Sequence, residues 1–481
     1  MFTYIKYIYL ILLNLIYFSY GNTEEINNGD NWDNATWVLN SAFVIITMQS
    51  GFGLLESGTV TQKNSINIMM KNLCDIIFGG IIYWIFGYGL IFGDDYGENG
   101  FTGIGKFFFD ADITVKGGWE FSRYFFQLTF ATTATTIVSG ALAERLRFSA
   151  YCFFSCFNTI IYCITAHWIF NNNGWLKKLG VIDFAGAGPV HLLGGVTSFI
   201  GTLMVGKRID KNYQPSSLNN ILLGLFLLWW GWLGFNCGSS FGITGKKWIY
   251  VAKAASTTIN SSIAGGLTGF YYCVIKKIKY DIILIVNAIL SSLVAITPCC
   301  IHIDNWVAYL IGFTSALIST LFNNKIKNNK YIDDPLGCIG THGISSIWGL
   351  ICTGLFVKEN YDNNYKGLIY SGSFNLLLIE LLEIISIITW VSITSYISFF
   401  IVDKIIGLRL TQEEEKLGND FLDHGIDYNT IDILPNIVNN SNNNIENINA
   451  NNLNFDKEMV NTELNIFENQ ISNTNIPGMV N

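Results

Sequence analysis

Eleven stretches of the 481-residue chain run almost wholly apolar for about 18 to 28 residues, separated by short segments rich in Asp, Asn, Lys and Gly. They lie near 35–57, 73–93, 121–141, 149–169, 186–206, 218–238, 252–275, 280–298, 305–323, 340–357 and 376–403. A bilayer core of roughly 30 Å needs about 20 apolar residues of helix. Inside that core the helix satisfies its own backbone hydrogen bonds and has no open edge. The pattern therefore predicts an all-α membrane bundle of eleven transmembrane helices. A twelfth apolar run, Ile8 to Phe18, is too short to span. It follows Lys6 and precedes Ser19-Tyr20-Gly21, the layout of a signal peptide cleaved near Gly21. A retained extra helix is the alternative. The chain thus divides into a signal peptide (1–21), a transmembrane domain (22–410), a charged segment (411–428) and a tail (429–481) that is Asn-rich and reads as disordered.

Composition agrees. Half the residues are hydrophobic and 13% are charged, against about 25% charged in soluble domains. An ordinary soluble enzyme is excluded. The net charge of −8 belongs to the end of the chain, since residues 411–481 hold twelve acids and two lysines. No basic patch suggests nucleic acid. None of the ten cysteines forms a CxxC pair, and neither a metal nor a cofactor is called for. Cys299 and Cys300 fall in a loop. Eleven spans put the mature ends on opposite sides. The side shared with the C-terminus carries 15 Lys and Arg against 10 on the other, which places the C-terminus in the cytoplasm. Asn34-Ala35-Thr36 then becomes an exposed glycosylation acceptor outside.

Two of the five histidines lie well inside apolar spans. His191 sits in Gly188-Pro189-Val190-His191-Leu192-Leu193-Gly194, and His342 in Gly340-Thr341-His342-Gly343. An ionisable group at membrane depth is a functional candidate; bonding a neighbouring helix is the plainer alternative. Asp183 precedes His191 by eight residues, and Asp334 precedes His342 by eight. Five spans separate the two matches, so an inverted repeat would bring the histidines in from opposite faces. A dry pore favours neutral imidazole, with one donor and one acceptor for a small polar solute or a proton. Aromatic residues share faces with these groups: Phe126 and Phe130 are four apart, and Trp232, Phe235 and Ser239 are spaced i, i+3, i+7. Such faces attract cations or form constrictions, or simply pack. Glu56, Asp75, Asp183, Glu380 and Glu383 are the candidate buried acids. Asp183 is placed to cap the fifth span or to add negative potential at its mouth.

Six stretches, in order, resemble the ammonium transporter/methylammonium permease/Rhesus superfamily, and its ammonium transporter branch most. They are Gly53-Leu54-Leu55-Glu56-Ser57-Gly58 with Lys63-Asn64; Phe126-Gln127 through Gly140-Ala141-Leu142-Ala143-Glu144-Arg145; Asp183-Phe184-Ala185-Gly186 through His191; Gly231-Trp232-Leu233-Gly234-Phe235-Asn236; Asp333-Asp334-Pro335 through His342-Gly343; and Glu413-Glu414-Glu415 through His424-Gly425. The resemblance runs from about Trp37 to His424 and implies a membrane protein rather than an enzyme; no HExxH or GxSxG motif is present. It implies an inverted five-plus-five repeat with a final long helix, a homotrimer, and one pore per subunit for ammonium, ammonia and methylammonium; the signal peptide sends the chain into the secretory route, with the plasma membrane as the default destination. His191 and His342 look like the twin histidines of the pore, Phe130 and Phe235 like its gate, and Phe126, Phe170 and Ser239 like the recruitment site. Asp183 and Trp232 look like supports. The segment Arg409 to His424 looks like the tail that contacts a neighbouring subunit. Two departures stand out. Phe170 occupies a recruitment position usually held by Trp, with Trp168 and Trp175 nearby, and Gly337 stands where an acid often lies five residues before the second histidine. An ammonium sensor and a passive Rhesus-type amine channel are the alternatives.

Overall fold

The computed structural model describes residues 32–95, 99–209, 214–327, 329–358 and 365–428. The signal peptide expected over 1–21 and the tail expected over 429–481 lie outside them. Long helices coincide with the apolar stretches: α1 (Trp32–Thr59), α2 (Gln62–Phe92), α3 (Val115–Ala141), α4 (Phe148–Phe170), α5 (Ala187–Val205), α6 (Leu218–Gly238), α7 (Lys247–Ile275), α8 (Ile282–Ile296), α9 (Asn305–Lys327), α10 (Ile339–Phe356) and α11 (Asn375–Ile405). No strand occurs among the described residues, so the fold is all-α. Eight of these helices are long and apolar enough to cross a membrane. The other three are α3, which carries Lys116, Glu120 and Arg123; α7, rich in Ser and Thr; and α8, which has 15 residues. Large side chains such as Phe226, Trp230, Leu378 and Ile385 are exposed on the outward faces of α6 and α11, where lipid or another apolar surface would cover them at low cost.

The order of packing carries the inverted symmetry. α1 lies along α6, and α5 crosses α10. That crossing is backbone on backbone: a Cβ added at Gly195 would come within 2.3 Å of Gly343 Cα. Both crossing helices open with a wide π-type turn, Ala187–Leu192 and Ile339–Ile344, and each turn carries a histidine. The entry to each is also alike. Asp183 accepts amide hydrogens from Gly186, Ala187 and Gly188 at 3.1, 2.7 and 2.7 Å. Asp334 accepts from Gly337 and Ile339 at 3.0 and 2.8 Å. Gly186 and Gly337 have φ of +82° and +77°, left-handed values that favour glycine. Gly337 therefore occupies a turn position, and the acid of this entry is Asp334, three residues earlier. Burial pushes Asp183 up to about 6, against the pull of its three amide donors.

The expected exposed acceptor at Asn34 is corrected. Asn34 is 3% exposed, and its Oδ1 accepts from the Ile243 and Thr244 amides at 2.8 and 3.0 Å. The carboxamide ties α1 to the loop after α6, a tertiary contact that a three-residue motif does not reveal. Cys299 and Cys300 lie in a turn but are fully buried.

Beyond α11 the chain folds back onto its own helix ends. Arg409 donates to Val205 O and Lys207 O and pairs with Glu415 at 2.8 Å. Arg147 pairs with Glu414 at 2.9 Å. Asp420 accepts the amides of Ile66 and Asn67 at 3.0 and 2.7 Å, at the N-terminal end of α2. A short helix, Gln412–Leu417, begins with a capping box formed by Thr411 and Glu414. Asp420→Ala removes the acceptor for the part-buried Ile66 amide and the buried Asn67 amide and should free this segment. The expected result is protease cleavage between 411 and 424 about tenfold faster than in the wild type, read by limited proteolysis in detergent.

Candidate functional site

At the end of the bundle opposite the docked tail lies a cavity of about 390 Å³, lined by Phe170, Asp183, Phe184, Ser239, Phe241 and His302 among others. Its floor is aromatic. Phe130 on α3 and Phe235 on α6 are stacked, 3.9 Å between centroids and 8° between planes, and both are fully buried. Phe126, one turn along from Phe130, tilts against it at 4.9 Å. Phe170, at the end of α4, stands edge-on to Phe130 at 6.1 Å. Trp168 instead packs on Phe101, Trp175 and Trp390. Of the three aromatics in this region, Phe170 is the one that meets the stacked pair. Ser239 is on the cavity wall, 8% exposed, and its hydroxyl donates to Phe235 O at 2.9 Å.

Beneath the stacked rings come the histidines. The His191 ring lies 5.6 Å from Phe235 and stacks on Trp232 at 5.0 Å. The Trp232 indole is fixed by donation from Nε1 to Thr297 Oγ1 at 3.1 Å. His342 follows at 5.4 Å, with the two Nδ1 atoms 3.3 Å apart. A hydrogen bond there makes one Nδ1 the donor and the other the acceptor. The two outward Nε2 atoms then differ: one ring presents an acceptor, the other a donor. His191 Nε2 has no protein partner among the described residues. The nine residues to which the resemblance gives pore roles thus meet at one cavity and the column below it. Asp183 lines the cavity wall and caps α5.

Three further residues belong to this column. Phe52 of α1 packs on His342 at 6.0 Å, Phe241 closes on Phe126 at 5.0 Å, and Thr297 holds Trp232. Only Phe241 left a sequence signal, as an aromatic two positions beyond Ser239.

A cavity at one end, an apolar constriction, and a polar pair at mid-depth in a lipid-faced helical bundle define a multi-pass membrane transporter rather than an enzyme. Sequence comparison makes this particular. The model of the Ammonium Transporter Family matches residues 36–428, and the chain belongs to that family. A relative from Caenorhabditis elegans is 42% identical over 413 residues, covering 82% of this chain; the match spans 60% of that relative's own length. Ammonium transporter 1 member 3 of Solanum lycopersicum is 35% identical over 428 residues, covering 82% of this chain and 92% of its own. Among solved structures, a sensor Amt protein superposes with a TM-score of 0.74 at 31% identity, covering 82% of this chain and 98% of that one. Candida albicans Mep2 gives 0.72 at 26%, covering 80% and 87%.

Proposed function

We propose that this protein moves ammonium across a membrane from the cavity end to the tail end, with the cavity outside, the tail in the cytoplasm, and the bundle crossing a plasma membrane eleven times as a homotrimer. The observation that carries the reading is the fully buried stacked pair Phe130/Phe235 set directly above the hydrogen-bonded pair His191/His342. Ammonium and potassium are alike in size and charge, so a ring of oxygen ligands separates them poorly. Ammonium can leave a proton behind and cross an apolar constriction as ammonia; potassium has no neutral form. Phe126, Phe170 and the Ser239 oxygen are placed to hold the cation at the mouth, each aromatic face contributing about 0.5–2 kcal/mol. The stacked rings exclude water and hydrated ions. Ammonia then meets an imidazole nitrogen that lacks another partner and passes along the pair by hydrogen bonds.

The test is uptake of labelled methylammonium in cells without ammonium transporters of their own, with potassium in excess. Potassium-resistant uptake is expected, falling about tenfold or more in His191→Ala. Surface expression without any uptake would sink the reading and favour an ammonium sensor; a passive amine channel would equilibrate substrate without accumulating it.

A further inference from the structure

The column does not end at His342. A void of about 20 Å³ follows, lined by Phe52, Glu56, Asn287, Leu336 and His342 among others. It shares Asn287 and Leu336 with a pocket of about 70 Å³ lined also by Asp334 and Gly337. Glu56, 1% exposed, is the one carboxyl on the small void. Nothing in the transport reading uses it.

Its partners suit a group that changes protonation state. Asn72 Nδ2 donates to Glu56 Oε2 at 2.7 Å, and the Asn72 amide is oriented by Ile68 O, which accepts from it at 3.0 Å, and by Thr136 Oγ1, which donates to its oxygen at 2.5 Å. Ser139 Oγ lies 2.7 Å from both carboxyl oxygens and 2.6 Å from Thr136 O. A serine hydroxyl has a single hydrogen. With Glu56 ionised, Ser139 donates to it. With Glu56 protonated, the carboxyl donates to Ser139 and Ser139 donates to Thr136 O. Both states are therefore hydrogen-bonded without moving a heavy atom. The other titratable groups nearby are held elsewhere or face the void: Lys71 donates to Leu146 O at 3.1 Å, Asp75 accepts from Tyr151 at 2.7 Å, and Cys338, just before α10, and His342, on it, line the void.

We propose that Glu56 is the proton acceptor at the inner end of the pore, taking through the histidine pair the proton that ammonium gives up at the outer end and returning it to ammonia in the inner pocket. The proposal rests on the transport reading above. One N–H bond of ammonium breaks and one O–H bond forms at Glu56; that O–H then breaks as the ammonia lone pair takes the proton. Nothing is oxidised or reduced. Asn72 and Ser139 are positioning residues.

The full-length protein in liposomes tests it, with current and labelled methylammonium uptake measured on the same vesicles. Wild type should carry about one charge per methylammonium. E56Q should keep uptake within about threefold and lose about tenfold or more of the current, and E56D should recover the current. The same charge per substrate in E56Q as in wild type overturns the proposal, as does wild-type uptake without current. Wild type without uptake would bring down the transport reading instead. Should E56Q not fold, the infrared difference spectrum of wild type on adding ammonium decides: a carboxyl C=O band shifted in E56D supports Glu56, and no such band overturns it.

Discussion

On the proposed transport reading, Phe235→Ala is expected to turn a selective pore into a leaky one. Phe235 and Phe130 lie face to face at 3.9 Å with no exposed surface, and Phe235 also touches the His191 ring at 5.6 Å. Deleting one ring opens a void bounded on one side by the His191 imidazole. A void with polar walls fills with water, whereas an apolar one stays dry. Water in the constriction supplies oxygen ligands for potassium, which the native pair withholds. Potassium entry should rise about tenfold or more while methylammonium uptake loses its resistance to excess potassium. Paired flux measurements with labelled rubidium and methylammonium check this. A folded variant with unchanged rubidium entry would show that the stacked rings are packing and not a gate.

Arg208→Ala should cost the most stability. Its guanidinium lies between Glu144 at 2.7 Å and Asp333 at 2.9 Å, nearly shut off from solvent. The cluster joins the turn after α3 to the segments after α5 and before α10, and Arg145 adds a bond to Asp333 O at 2.6 Å. Glu144 is held in the left-handed region at φ +71°, a conformation this network helps impose. Removing the guanidinium takes the paired cation from the buried Glu144 and the part-buried Asp333, at about 3–5 kcal/mol. The pH dependence has a defined sign. Burial pulls both carboxyls upward, but the charge and hydrogen bonds of Arg208 outweigh it and hold Glu144 and Asp333 below their usual values of 4.5 and 3.8. Stability from lowered carboxyls is present above their ordinary values and is lost as pH falls through the lowered ones, on the acid side of 4.5 for Glu144 and of 3.8 for Asp333. Thermal unfolding in detergent should therefore show a steep acid-side loss in wild type and a much shallower one in Arg208→Ala. Equal slopes would sink the assignment.

Much of this architecture could be read along the chain because a bilayer imposes a simple rule. Lipid cannot hydrogen-bond the backbone, so each crossing must be a long apolar helix, and such helices stand out as runs of Ile, Leu, Phe and Gly. Their ends held to within a few residues for α1, α4, α5, α6, α8, α10 and α11. The starts of α2, α3 and α7 were placed late, because those first turns carry Gln62-Lys63-Asn64, Lys116 with Glu120, and Lys247, polar residues that belong to wet helix ends. The paired spacings Asp183–His191 and Asp334–His342 were equally legible, since eight residues carry a capping carboxylate to the histidine of the following turn in both halves.

Other features have no local signature. That the two Nδ1 atoms come to 3.3 Å follows from the glycine crossing of α5 and α10 and from the wide turns that rotate each imidazole inward; neither arises within one helix. Phe52 behind His342, Thr297 under Trp232 and the docking of residues 409–424 on α2 and α4 join positions 65 to more than 350 residues apart. Asn34 looked like an acceptor for sugar until the loop at 242–244 closed over it. By itself the sequence determined the helices, their order and the residue types at mid-depth, because hydropathy and capping act over one or two turns. Only the tertiary structure decided which of those residues face one another, because facing depends on helix crossings that glycine backbones and buried polar contacts set across the whole chain.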